Sequence, residues 1–456
     1  MGLRSSRTSA TASVSSAARL LGGKALRPGE LPSHGAEGTG EGQPVRVDVR
    51  LQRSLVEKPA EQVVHDEEAI ELLQDAVGLL AAQHHGGPPL VDLDLLDADL
   101  HLPALGVLRG QFVGGGLVGF EDRGHQAVQG LDIWSARILE VGGTFIQGES
   151  EIASINMVLG ASATGARAMT SSSSPGLALK QEGISYLAGQ ELPAVIVNMM
   201  RGGPGLGNIA PSAADYFQST RGGGNGDYRT PVFAPAGCQE LCDLTFVAFD
   251  VADRYRTPVV VLGDGLMGQV MEPVVFPDPI DLDSLPKKEW ALTGCKGRES
   301  RKIFSMMLNV NVLHQHNLDL QKKYDQIAEK ETRWQTLYTD DAEMVVVAYG
   351  SAAQIAESAI EEIRAQGLAA GIFRPITVWP YPTEALRSLS KRIKKIAVFE
   401  FSMGQMLEDV ILSVGERAEI TFYGIPGGIV ATPAEVAEFL RSVLKGDGKI
   451  GRRVLV

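Results

Sequence analysis

Residues 343–377, EMVVVAYGSAAQIAESAIEEIRAQGLAAGIFRPIT, contain a complete strand–helix–strand pattern. The apolar runs at both ends have the length of β-strands. Between them, apolar residues recur at spacings of 3, 1, 3, 1 and 3 (Ala352, Ile355, Ala356, Ala359, Ile360 and Ile363), which predicts one buried helix face before a stop at Gly367. A strand, a helix and a second strand form the crossover unit of a parallel sheet. The stretch therefore predicts an α/β fold.

The same alternation continues on both sides of this stretch. Downstream come a short helix after Pro382, the strand KKIAVFEFS, the helix GQMLEDVILSVG and the strand EITFYGIPG; upstream are the strands PAVIVNMM, VFAPA and TPVVVLGDG and the helix GCQELCDLTFVAFDVADRY. We predict two doubly wound parallel-sheet domains, at 134–277 and 343–456. Residues 278–342 are predicted to be a linker arm that carries the charged helix DLQKKYDQIAEKETRW.

The first 133 residues differ in composition from the rest. They contain no Tyr, Trp or Cys and only two Phe, but six of the eight histidines. The start, MGLRSSRTSATASVSSAARL, is similar to an organelle transit peptide, although disorder or a misassigned start explains it better. We predict that 1–133 is an atypical low-aromatic segment, either disordered or misassigned.

Composition excludes several classes of protein. The net charge of −13 comes without the basic stripe that nucleic-acid binding requires. The sequence contains no apolar run of 18 residues, the length that would predict a membrane span, so we expect a cytoplasmic protein. Three cysteines are too few to hold an iron–sulfur cluster alone or to form a disulfide framework.

Two glutamates precede an apolar helix in QGESEIASINMVLGASATGARAMTSSSSPG, residues 147–176. Ser150 can cap this helix and Glu151 lies in the first turn, where the helix dipole favours an anion. That interpretation is structural. The alternative is functional: the small residues that follow allow close packing, and burial disfavours the charged carboxylate, so that Glu151 becomes a better proton donor near neutrality.

Three further motifs suggest chemistry that their context does not support. The serine run Ser171–Ser174 could suggest a hydrolase nucleophile, but the only histidines after residue 133, His314 and His316, lie in the linker arm, so a Ser-His-Asp arrangement would need an unusual base. We expect instead that the serine hydroxyls cap a helix starting near Leu177. GGPGLG at 202–207 follows a strand without opening a helix, which argues against a dinucleotide site. GDG at 263–265 lacks the asparagine of a thiamine diphosphate motif, and we interpret it as a turn after a strand.

Arg201 follows the strand PAVIVNMM, at the sheet edge where α/β folds bind ligands. Its guanidinium could hold a carboxylate with two hydrogen bonds. A surface salt bridge is the structural alternative.

Together, GESEIASINMVLGASATGARAMTSSSSPG, STRGGGNGDYR, FRPITVWPYP and FEFSMGQMLED resemble the alpha subunit of 2-oxoacid:ferredoxin oxidoreductases, closest to the branched-chain (2-oxoisovalerate) type. The resemblance covers about residues 134–456. It implies a thiamine diphosphate pyrimidine-binding domain at 134–277 and a transketolase C-terminal-like domain at 343–456.

The resemblance also implies an activity and a set of partners. The activity is the coenzyme A-dependent oxidative decarboxylation of a 2-oxoacid, with electrons passed to ferredoxin. Glu151 matches the glutamate that hydrogen-bonds the aminopyrimidine ring of thiamine diphosphate, and Arg201 matches the position that holds the substrate carboxylate. The diphosphate and magnesium are expected on a beta subunit and the iron–sulfur clusters on another subunit, with a gamma subunit as a further candidate partner.

The sequence departs from the family at its N-terminus. Family members begin there with a strand, a helix and a GYPITP loop, and residues 1–133 do not resemble that unit. We therefore expect the first sheet to lack its first strand. The alternative function is a non-catalytic structural or partner-binding subunit that lacks the first βα unit of the family.

Overall fold

The computed structural model describes residues 143–270, 272–278, 280 and 284–446, together with residue 138 and a strand at 117–120. The predicted character of 1–133 lies outside the described residues, apart from that strand.

Strands and helices alternate along most of the described chain. The strands are β1 (Leu117–Phe120), β2 (Thr144–Gln147), β3 (Met169–Ser173), β4 (Ala194–Met200), β5 (Val232–Phe233), β6 (Pro258–Asp264), β7 (Trp334–Leu337), β8 (Met344–Val347), β9 (Ala370–Pro375), β10 (Thr377–Trp379), β11 (Lys395–Glu400) and β12 (Glu419–Gly424). The helices are α1 (Glu151–Ala163), α2 (Ser174–Gly189), α3 (Tyr216–Thr220), α4 (Cys238–Tyr255), α5 (Val310–Glu331), α6 (Gly350–Arg364), α7 (Thr383–Arg392), α8 (Gln405–Val414) and α9 (Pro433–Lys445).

The first sheet has the strand order β10-β5-β6-β4-β3-β1-β2. All neighbours are parallel except β10, which pairs antiparallel with β5. β6 is buried along its whole length, as expected for a parallel strand covered on both faces. The expectation of a missing first strand is wrong, because β1 from the N-terminal segment pairs with both β2 and β3.

The second sheet has the order β12-β11-β8-β9-β7 and is parallel except at β7. α6 ends at Arg364, three residues before Gly367, which adopts a left-handed φ of 84°. These two sheets confirm the predicted α/β class with doubly wound parallel sheets.

None of the described helices combines the length and the apolar character that a membrane crossing requires.

Each sheet takes an edge strand from beyond the predicted boundaries. β7 comes from the predicted linker arm and joins the second sheet, whereas β10 comes from the predicted C-terminal domain and joins the first. Of the strand predicted over AAGIFRPIT, residues 370–375 form β9, and the last residue, Thr377, already begins β10 in the other sheet. Arg374 of β9 also donates two hydrogen bonds, of 2.6 and 2.9 Å, to the Glu240 carboxylate on α4. The domain boundaries themselves stay a prediction.

α1 and α2 pack closely because α2 contributes glycines. A Cβ atom built on the buried Gly183 would lie only 2.6 Å from Ile155 Cγ1, so a larger residue does not fit between the helices. Gly160 on α1, by contrast, has no neighbouring atom within 4 Å of such a Cβ. The close packing predicted from the small residues of α1 is present, but at this contact the glycine belongs to α2.

This contact predicts opposite effects for the same substitution at two helical glycines. Gly183→Ala should lower the free energy of unfolding by about 1–3 kcal/mol, because the added methyl group overlaps Ile155. Gly160→Ala should raise it by about 0.5–1 kcal/mol, because alanine reduces the entropy of the unfolded chain and meets no atom here. Thermal unfolding midpoints of the two variants measure the difference; equal shifts would contradict the packing argument.

Candidate active site

β3 passes directly into α2 within the serine run, and we term the residues around this junction, 172–176, the serine turn. α2 begins at Ser174, three residues before the predicted start near Leu177. Its N-cap residue, Ser173, makes no capping hydrogen bond through its side chain, so the predicted capping role of the serines is wrong. The Ser174 hydroxyl instead bonds to the chain that follows β4. This turn lies at the carboxyl end of β3, where parallel sheets place ligand sites.

Glu151 lies against this turn. It is the first residue of α1, and the side chain of Ser150 caps the helix by accepting the Ala153 N–H at 3.3 Å, as predicted. The Glu151 side chain is half-buried, and a Cβ atom built on Gly176 of α2 would lie 3.0 Å from both its Cγ and its Oε1. Glycine at 176 therefore leaves the space in which the carboxyl group packs.

Glu149 has a different environment from Glu151. Its side chain is exposed, and Gln147 Nε2 lies 3.5 Å from its Oε1. Of the two carboxylates that the sequence places before α1, Glu151 is the one seated against the turn.

Arg201 follows β4 and approaches the same turn from the other side. Its main-chain N–H donates to Ser174 Oγ at 3.0 Å, and its backbone pairs with Pro211 in an isolated antiparallel bridge. The side chain is half-buried, and its Nε is buried without a hydrogen-bond partner among the described residues. The structure thus brings the backbone of Arg201 and the carboxyl group of Glu151 to one five-residue stretch, 172–176.

Two polar residues near Arg201 were not identified from the sequence. Asp215 Oδ2 accepts hydrogen bonds from the Ser174 hydroxyl and from Asn198 Nδ2, the latter at 3.0 Å. Asn198 is fully buried in β4, and its Oδ1 has no hydrogen-bond partner among the described residues. The signal was available, because a lone asparagine interrupts the apolar run AVIVNMM.

The two glycine-containing motifs lie at the carboxyl ends of β4 and β6. GGPGLG opens no helix, as predicted; Gly207 has a φ of 58°, and a Cβ there would overlap the Gly202 carbonyl oxygen. GDG lies at the end of β6: Gly263 and Asp264 are the last two residues of the strand, and the predicted turn begins at Gly265. In this turn, Asp264 Oδ1 accepts the N–H groups of Leu266 and Met267 at 3.0 and 3.1 Å.

The described histidines lie away from the serine turn. His316 Nε2 contacts the carbonyl oxygen of Gly189, at the opposite end of the 16-residue helix α2 from Ser174. At 1.5 Å per residue the two ends are roughly 22 Å apart, so His316 cannot act as a base for these serines.

Within the described part of the chain, no three His, Cys, Asp or Glu side chains converge on a possible metal position.

Comparison with known proteins places this architecture in a family. Residues 127–339 match the family model described as pyruvate flavodoxin/ferredoxin oxidoreductase, thiamine diphosphate-binding, and residues 342–436 match pyruvate:ferredoxin oxidoreductase core domain II. A structure of a 2-oxoglutarate:ferredoxin oxidoreductase from Magnetococcus marinus aligns with a TM-score of 0.62 at 23% identity, over 75% of this chain and 64% of that chain. The aligned structure supports the fold predicted from the sequence.

Relatives with higher identity give a consistent result. The ketoisovalerate oxidoreductase subunit VorB of Methanothermobacter thermautotrophicus is 47% identical over 303 residues, which cover 66% of this chain and 86% of the relative. The 2-oxoglutarate synthase subunit KorA of Archaeoglobus fulgidus is 36% identical over 280 residues, which cover 59% of this chain and 78% of the relative. The chain therefore belongs to the 2-oxoacid:ferredoxin oxidoreductase family, as its sequence predicted.

Proposed function

We propose that this chain is the catalytic alpha subunit of a branched-chain 2-oxoacid:ferredoxin oxidoreductase, with 2-oxoisovalerate as substrate. The proposed reaction is the oxidative decarboxylation of the 2-oxoacid to its acyl-coenzyme A, with the electrons passed to ferredoxin. The two relatives of 47% and 45% identity, both named ketoisovalerate oxidoreductase subunit, support this choice of substrate. The half-buried carboxyl group of Glu151, seated against Gly176, is the observation that carries the catalytic role.

The surroundings of Glu151 fit thiamine diphosphate. A carboxyl group that exchanges a proton with a ring nitrogen needs a position held by packing and partly shielded from water, and Gly176 and the capped start of α1 provide both. When bound, thiamine diphosphate supplies the carbon nucleophile that attacks the 2-oxo group. Glu151 would hold the proton at the aminopyrimidine ring, and residues 134–277 would form the pyrimidine-binding domain.

Arg201 is proposed to bind the substrate carboxylate. A guanidinium group can donate two parallel hydrogen bonds to a carboxylate, and the Nε of Arg201 has no acceptor among the described residues. The side chain is half-buried, which strengthens a charge-assisted hydrogen bond relative to one in open water.

The rest of the catalytic apparatus is proposed to lie on partner subunits. The family relatives are named as subunits, which supports a multi-subunit complex. We place the diphosphate and magnesium on a beta subunit and the iron–sulfur clusters on a further subunit that reduces ferredoxin, with a gamma subunit as an additional candidate. We place the complex in the cytoplasm, with residues 343–456 as its transketolase C-terminal-like domain.

The alternative function is a non-catalytic subunit, which the absence of a GYPITP motif favours. Co-expression with a matching beta subunit and an assay of coenzyme A-dependent viologen reduction by 2-oxoisovalerate separates the two. Activity supports the catalytic role. Inactivity that is reversed when a family-type N-terminus is grafted onto residue 134 supports the alternative.

Replacing Glu151 tests the catalytic role. Glu151→Gln preserves the shape of the side chain but cannot exchange a proton, so turnover should fall by at least about 100-fold while the fold and the assembly of the complex are retained. Glu149→Gln, the same change at the exposed neighbour, is the matched control and should retain full activity. Near-normal rates for Glu151→Gln would refute the assignment.

Replacing Arg201 tests substrate binding. Arg201→Ala should raise the KM for 2-oxoisovalerate by about 10- to 100-fold, because a charge-assisted hydrogen bond contributes roughly 1.5–3 kcal/mol. Arg392→Ala removes an exposed arginine at the end of α7 and serves as the control. If steady-state kinetics give the same KM for both variants, Arg201 does not hold the substrate.

A further inference from the structure

Residues 211–217, which we term the connecting segment, join the site to the second sheet. The segment begins at Pro211, which pairs with Arg201, and ends at Phe217 in α3. In between, the Ala213 N–H donates to the Phe401 carbonyl at 2.9 Å, and the Tyr349 hydroxyl donates to the Ala213 carbonyl at 3.1 Å. Both of these partner residues follow strands of the second sheet.

Helix α8 holds the other half of the connecting segment. Gln405 donates from Nε2 to the Ala214 carbonyl at 2.6 Å and accepts the Phe217 N–H at 2.8 Å. The Tyr216 hydroxyl, which is fully buried, donates to the carboxylate of Asp409. Asp409 also pairs with Arg221 at 2.9 Å, so this carboxylate is fixed from two sides. The backbone on both sides of Asp215 is therefore attached to the second domain.

Asp215 connects this anchored segment to the backbone of Arg201. Its Oδ2 accepts from the Ser174 hydroxyl, and the oxygen of the same hydroxyl accepts the Arg201 main-chain N–H. A hydroxyl group has one proton, and the Asp215 carboxylate is a nearer acceptor for it than the Arg201 carbonyl oxygen at 3.4 Å. Donation to Asp215 then directs the lone pairs of the hydroxyl toward the N–H of Arg201. Asn198 Nδ2 donates to the same Oδ2 at 3.0 Å and restrains the carboxylate. The chain of contacts is continuous from the second sheet to Arg201.

We infer that Asp215 is a positioning residue for Arg201, and that the second domain sets the geometry of the site through the connecting segment. This inference rests on the proposed role of Arg201 in binding the substrate carboxylate. In this role Asp215 affects substrate affinity by fixing the main chain of Arg201, which carries the guanidinium group. It acts through Arg201 and is not itself a contact of substrate or cofactor.

The experiment uses the assembled complex with 2-oxoisovalerate and measures KM, kcat and, by titration calorimetry, Kd. Asp215→Ala should raise KM and Kd by about fivefold to twentyfold with kcat changed by less than about twofold, as expected for a loss of hydrogen bonds that affects binding. Asp215→Asn should stay within about threefold of wild type, because the amide oxygen can accept the same two hydrogen bonds. Ser174→Ala should behave like Asp215→Ala, and Ser174→Thr, which retains the hydroxyl, should recover most of the affinity.

A double-mutant cycle with Arg201→Ala separates positioning from a merely structural effect. Without the guanidinium there is nothing left to position, so Asp215→Ala should add less than about twofold to the KM of Arg201→Ala. The same fold increase in both backgrounds would overturn the inference, as would an unchanged KM for Asp215→Ala alone. If Asp215→Ala does not fold, Ser174→Ala decides in the same cycle.

The outcomes also distinguish this inference from the proposed function. If Arg201→Ala raises KM and Asp215→Ala does not, only the positioning role is refuted. If Arg201→Ala leaves KM unchanged, the proposed role of Arg201 is wrong, and positioning through it is wrong as well. A wild-type complex that neither binds nor converts 2-oxoisovalerate refutes the proposed function.

The contribution of the second domain has its own matched pair of variants. Tyr216→Phe removes the hydrogen bond to Asp409 and should raise KM by about threefold or more. Tyr255→Phe is the matched control. It removes the hydrogen bond from another buried tyrosine to a buried carboxylate, Glu331, which is also paired with an arginine, Arg254. It should leave KM unchanged. Equal effects of the two substitutions on KM would show that the Tyr216 bond has no specific influence on the site.

Discussion

The close approach of α1 and α2 is the constraint on which the rest of the site depends. Glycines at 176 and 183 allow the two helices to meet, with Ile155 packed at one contact and the Glu151 side chain at the other. These contacts are seven residues apart on α2 and four apart on α1, so each pair lies near one face of its helix. The same packing that joins α1 to α2 therefore also holds a carboxyl group at the carboxyl end of a parallel sheet.

The serine turn, residues 172–176, is contacted by two parts of the candidate site. Glu151 contacts it at Gly176, and the main-chain N–H of Arg201 contacts it at Ser174, so a carboxyl group from before β3 and the main chain after β4 meet at the same stretch. Parallel topology allows this meeting, since the carboxyl ends of β2, β3 and β4 lie at the same edge of the sheet. The proposed roles of Glu151 and Arg201, proton exchange and carboxylate binding, would suit a decarboxylation, in which the substrate carboxylate has to be held near the cofactor.

Residues after 342 take part in this arrangement. They contribute β10 to the edge of the first sheet, and the loops after β8 and β11 together with α8 hold the connecting segment that contains Asp215. Arg374 and Glu240 add a bidentate ion pair between β9 and α4. These contacts tie the segment beside the candidate site to elements that surround the second sheet.

The sequence by itself determined the α/β class, most strands and helices from 143 onward and the family, because apolar periodicity and local motifs reflect interactions between residues that are near in the chain. It also identified Glu151 and Arg201 as candidates from their positions at the start of a helix and the end of a strand. Only the tertiary structure divided AAGIFRPIT between two sheets, moved the start of α2 to Ser174 and joined Asp215 to Ser174 and Asn198. Those features depend on contacts between residues 17 to 41 positions apart or on strand pairing across domains, and such contacts leave no periodic trace in the sequence.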